Sequence, residues 1–84
     1  MADHHLTPNQ REVLAAVADL NATKARSHAR HIAHHSALQQ VETAHALTEL
    51  YQAKLIELRP GPATGSTTGW HLTAAGIERA ALPA

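Results

Sequence analysis

Residues 32–56 read IAHHSALQQVETAHALTELYQAKLI, and the spacing of their apolar positions decides the fold. Ile32 and Ala33 close one short helical face, and Ser36 to Leu38 form a turn of small residues. Thr43, Ala46, Leu47 and Leu50 then line one stripe of a second helix that begins at Gln39 or Gln40, and Leu55-Ile56 open a strand. This is the spacing of a helix-turn-helix, in which the second helix buries one face against its neighbours and keeps the other free to enter a DNA groove. The free face carries Val41, Ala44, His45, Thr48 and Gln52.

Outward from this stretch the chain continues in the same style. Leu6-Thr7-Pro8-Asn9-Gln10 combines an N-cap Thr, a Pro at the first helical position and a Gln placed to complete a capping box. Val13, Leu14, Val17 and Leu20 make one stripe, so a first helix is expected over residues 8–20, followed by a loop from Asn21 to Lys24. A second helix from about Ser27 to His35 should turn Ala29, Ile32, Ala33 and Ser36 inward, with His28, Arg30, His31, His34 and His35 on its solvent side. Beyond the quoted stretch, residues 55–59 and 70–72 read as short strands around a Pro/Gly/Thr loop at 60–69. Thr73 is then placed to cap a last helix, with Ile77 and Ala81 toward the core. Residues 1–5 carry no periodic pattern and are expected to be a flexible N-terminus.

The 84 residues allow one core, assigned to a single domain over residues 6–82. Hydrophobic residues make up 44% of the chain, yet Phe is absent and Trp and Tyr occur once each, so that core must be built from Leu, Val, Ile and Ala. There is no Cys, hence no disulfide or thiolate chemistry. No apolar run has the length of a signal or membrane segment, and the expected compartment is the cytoplasm, with no membrane partner. Seven basic and seven acidic residues cancel, which is unusual for a DNA binder because phosphate neutralisation supplies most non-specific affinity. The balance is uneven, however: Lys24, Arg26, His28, Arg30, His31, His34 and His35 fall in one stretch that holds no acid.

The strings LTPNQREVL, LTELYQAKLIEL and GWHLTAAG, in that order and with no insertion needed between Ile32 and Ile56, resemble winged helix-turn-helix regulators of the MarR and PadR kind over about residues 6–82. The resemblance implies an α+β fold: a three-helix core, a two-stranded β-hairpin wing and a C-terminal helix. Two positions depart from the pattern. Lys54 stands where such sequences carry Gly, so a left-handed cap there would cost roughly 1 kcal/mol or more unless the helix ends differently. The expected wing tip, residues 60–69, has no Lys or Arg, which leaves Arg59 at its base. The long flanking helices through which full-length MarR proteins dimerise are also missing, so the chain either pairs through its first and last helices, where Ala15 and Ala18 allow close packing, or is a module of a longer protein.

The function this implies is sequence-specific binding of double-stranded DNA by a small transcriptional regulator, a repressor acting as a homodimer. Base readout falls to Gln39, Gln40, Val41, Ala44, His45 and Thr48, whose amide, imidazole and hydroxyl groups suit base edges while Val41 suits a thymine methyl. Backbone and wing contacts fall to Lys24, Arg26, Ser27, Arg30, His31, Arg59, Thr64, Ser66 and Thr67. Glu42 and Glu49 would lie near phosphates and oppose binding, unless Glu42 accepts from a cytosine amine. Trp70 is read as filling space beneath the wing. Two alternatives stay open: the DNA-recognition module of a larger plasmid- or phage-type replication or DNA-transfer protein, and a winged-helix protein-protein interaction module, which zero net charge favours. An enzyme is not expected, since no nucleophile elbow or phosphate-binding glycine loop is present. No cofactor or metal is expected either: His28, His31 and His35 lie within about 60° on one helix face, but without Cys or an acidic partner. If His28, His31, His34, His35 and His45 face the duplex, DNA affinity at fixed ionic strength should rise as the pH falls from about 8 to about 6, where model imidazoles gain a proton, and replacing His31 and His34 by Gln should reduce that rise. A flat profile would remove them from the interface.

Overall fold

The computed structural model describes residues 6–23, 27–59 and 69–81. The elements follow in the order α1 (Pro8–Ala22), α2 (Ala29–Ser36), α3 (Gln40–Gln52), β1 (Ile56–Arg59), β2 (Gly69–Leu72) and α4 (Ala74–Ala81). The readings made for residues 1–5 and for the loop at 60–68 lie outside the described residues.

α1 begins as its sequence dictates. Gln10 N donates to Thr7 Oγ1 at 3.1 Å and Thr7 N to Gln10 Oε1 at 2.9 Å, which satisfies two of the amides that every helix start leaves unpaired. The helix runs two residues past its expected end, so Asn21 sits in a helical turn rather than a loop. Thr23 stops it, its Oγ1 donating to the carbonyls of Asp19 and Leu20.

The core is where the three helices meet. Val13, Leu14, Ala16 and Val17 from α1, Ile32 from α2, and Ala46, Leu47 and Leu50 from α3 are buried together with Leu6 and Ile56. Ala33 is buried as expected, but Ala29 is exposed, so α2 contributes a narrower stripe than its periodicity predicted. Thr43 is fully buried and donates its hydroxyl to Gln39 O at 3.0 Å, which satisfies the one polar group of the α3 stripe.

Two left-handed residues shape the turns on either side of α3, Ala37 at φ 62° and Lys54 at φ 63°. After α3, Lys54 N donates to Tyr51 O and Leu55 N to Leu50 O, both at 3.0 Å. This is the bond pair of a Schellman motif with Lys in the place that favours Gly. A side chain in this conformation costs about 1–2 kcal/mol, partly offset because Gly loses more backbone entropy on folding. Lys54→Gly is therefore expected to stabilise the fold by about 0.5–1 kcal/mol, read as a higher urea midpoint at unchanged slope. Equal stability of Lys54→Gly and Lys54→Ala would show that Lys54 is not strained.

β1 and β2 pair antiparallel with Ile56 opposite Leu72 and Arg59 opposite Gly69. Thr73 then caps α4 as predicted, its Oγ1 accepting from Gly76 N at 3.0 Å while donating to Lys54 O at 2.7 Å. The inward face of α4 differs from expectation. Ile77 is 59% exposed and Ala81 is exposed, while Gly76 is the buried residue. A β-carbon on Gly76 would lie 1.9 Å from Leu55 O, so the helix docks through a position with no side chain and swings Ile77 outward.

Candidate nucleic-acid interface

α3 presents its outer face as the sequence predicted. Gln39, Gln40, Val41, Ala44, His45 and Thr48 are all exposed, and Val41, at 66%, is the most exposed large apolar residue described. Thr48 Oγ1 donates to Ala44 O at 3.0 Å. Glu42 has a local role: its Oε1 accepts from Gln39 N at 3.2 Å, closing the first turn of α3 where a negative charge complements the helix dipole.

The start of α3 lies beside the start of α2. His28, Ala29, Arg30, Gln40 and Ala44 line one open depression between them. Arg30 is exposed at its edge, and the rings of His28 and His31 stand 5.5 Å apart. The exposed start of α2, the Arg30 guanidinium and the uncharged outer row of α3 thus share one face, while the start of α3 is already complemented by its own Glu42.

Several other expected contact residues also bond within the fold. Ser27 is 4% exposed, and its Oγ donates to Trp70 O at 2.7 Å, so its hydroxyl is used inside the fold and is not available to a phosphate. His31 is half-buried. Arg59 is exposed, but its Nε donates to Glu57 Oε2 at 2.7 Å and its Nη2 bonds the same oxygen. Lys24, Arg26, Thr64, Ser66 and Thr67 lie outside the described residues. Glu49 points toward α1, accepting from Gln10 Nε2 at 2.7 Å, which removes it from the proposed groove face. His35 has the acidic partner that the sequence reading did not find: its Nε2 lies 3.2 Å from Asp19 Oδ2, which ties α2 to α1. Among the described residues no three His, Asp or Glu side chains converge as a metal site.

One residue that matters to this geometry was missed in the sequence. Asn21 Nδ2 donates to Trp70 O at 3.1 Å and its Oδ1 accepts from Leu72 N at 3.0 Å, so the end of α1 holds β2. Trp70 is half-buried against the core and meets Tyr51 edge-on with ring centroids 5.9 Å apart.

Among solved structures the chain is similar to MepR of S. aureus bound to ethidium bromide, with a TM-score of 0.78 and 17% identity over 95% of this chain. The fold is a winged helix. A second likeness, to the zinc-responsive MarR family member ZitR of Lactococcus lactis, has a TM-score of 0.72 and 23% identity over 94% of this chain. The chain spans 56% and 51% of those two proteins. No family model and no curated protein matches the sequence. In winged-helix terms, α3 is the second helix of the helix-turn-helix, β1 and β2 are the base of the wing, and the depression lies between the starts of α2 and α3. Among the described residues no helix is long and apolar enough to cross a membrane.

Proposed function

We propose that this winged helix binds double-stranded DNA in a sequence-specific way, as a small cytoplasmic transcriptional regulator of the repressor type that works as a homodimer. The observation that carries the reading is the exposed row Gln40, Val41, Ala44, His45 and Thr48 on α3, running from the depression that Arg30 borders. A row of mostly neutral side chains on a protruding helix suits base edges, which are read by hydrogen bonds and methyl contacts rather than by charge. It is the reading of a binding protein, not of an enzyme. Selection from a random-sequence duplex pool, with the bound species sized in solution, tests it: one enriched motif with two-fold symmetry and a dimer on it support the reading, and no enrichment overturns it.

Arg30 is assigned to the phosphate backbone. Arg30→Ala should weaken all duplexes alike and lower the slope of log affinity against log salt by about one unit. An unchanged slope would move the backbone contact away from the α2 start. The zero net charge supports a second reading, a protein-protein interaction module using the same α3 face. Absence of salt-dependent binding to any duplex would favour it.

A further inference from the structure

The strand β2 is held along both edges. One edge pairs with β1. On the other, Trp70 N donates to Ser27 O at 3.0 Å, Trp70 O accepts from Ser27 Oγ and Asn21 Nδ2, and Leu72 N donates to Asn21 Oδ1. Alternate residues of an antiparallel strand turn both backbone groups to the same side, so Trp70 and Leu72 offer the donors and acceptors that a third strand would take. The carboxamide of Asn21 has one donor and one acceptor in the arrangement of a peptide group, and it replaces part of that strand. Gly69 permits the close approach, since a β-carbon there would lie 2.7 Å from Ser27 Oγ. Nothing local accounts for Asn in the last turn of α1, where it is a poor helix former; its two bonds reach 49 and 51 residues along the chain.

We propose that Asn21 is a positioning residue for DNA binding, fixing the angle at which the wing leaves the three-helix body so that Arg59 and α3 reach one duplex together. This rests on the DNA reading above. The grip on β2 passes across the ladder to β1, where Arg59 stands opposite Gly69. Asn21 touches no DNA in this scheme and acts only through the wing.

The test is a double-mutant cycle on a duplex recovered by selection from the random pool. Asn21→Ala should lower affinity about tenfold, and in an Arg59→Ala background its further effect should shrink to about twofold, because the group being aimed is gone. Asn21→Asp keeps the acceptor for Leu72 N but sets a carboxylate oxygen against Trp70 O, so it should weaken binding at least as much as Asn21→Ala and likewise lose most of that effect when Arg59 is absent. It also covers the case in which Asn21→Ala fails to fold. Faster amide exchange of Leu72 with unchanged exchange in α3 would show that the grip, not the body, has loosened. Equal losses in the presence and absence of Arg59, or loosening throughout α3, would assign Asn21 a merely structural role and overturn the proposal. If the wild-type chain bound no duplex, the DNA reading would fall and the proposal with it; binding by the wild type with additive losses would overturn the proposal alone.

Discussion

Replacing Gly76 by Ala is expected to destabilise the protein by about 3 kcal/mol, the upper end of what overpacking costs. Helix propensity argues the other way, since Ala in place of Gly within a helix gains roughly 1 kcal/mol. The steric term decides the sign. The added carbon would sit 1.9 Å from Leu55 O and 2.9 Å from Leu55 C, whereas a C–H carbon approaches a carbonyl oxygen to about 3.3 Å. Neither side gives way easily. Leu55 O accepts from Thr73 N at 3.0 Å, and the preceding carbonyl, of Lys54, accepts from Thr73 Oγ1 at 2.7 Å, so moving this backbone takes the cap of α4 with it. The variant therefore either carries the strain or releases α4 from the body. Urea unfolding followed by circular dichroism reads the outcome, with a lower midpoint if the protein remains two-state and a lower slope if α4 detaches beforehand. A Gly76→Ala protein as stable as wild type would mean that α4 docks differently.

The second large effect concerns recognition. Gln40→Ala and His45→Ala should each cost about 1–3 kcal/mol on the selected DNA site and little on random duplex, because a base-edge contact contributes only where the right base is present. Both side chains are exposed on the outer face of α3, and Gln40 also lines the depression next to Arg30. Arg30→Ala should behave in the opposite way and lower affinity on both kinds of DNA. The contrast between the three variants matters more than any single value. Equal losses on both kinds of DNA for Gln40→Ala and His45→Ala would exclude base readout by α3 even if binding itself were strong.

The elements that could be read in the sequence are those fixed by local rules. The cap at Thr7 and Gln10, the stripe Thr43, Ala46, Leu47 and Leu50, the Thr73 cap and the outward row of α3 each follow from periodicity or capping chemistry within a few residues. What was not legible depends on approach between distant segments. Ile77 looked like a core residue because apolar periodicity assumes that contact is made by side chains, and α4 makes its closest contact where there is none. Ser27 looked like a phosphate ligand because it lies among basic residues, and only the position of β2 shows its hydroxyl in use. Asn21 looked like the start of a loop because no apolar residue follows Leu20 in the stripe, and its value lies in two long-range hydrogen bonds. His35 was grouped with its histidine neighbours by angle on one helix, whereas the acid it meets is on another.

α1 is gripped at both ends by polar side chains of its own. Gln10 holds Glu49 of α3, and Asn21 holds the strand of the wing. The two are eleven residues apart, and at about 100° and 1.5 Å per residue that is within roughly 20° of three whole turns and a span of about 16 Å. Both grips thus leave the helix on the same side, and α1 works as a gauge that sets the interval between α3 and the wing. Such a gauge tolerates exchange of its outward residues but not a change in its count. Removing one residue between Val13 and Val17 would turn one grip by about 100° against the other, so variation in α1 is expected as substitution and never as a single insertion or deletion.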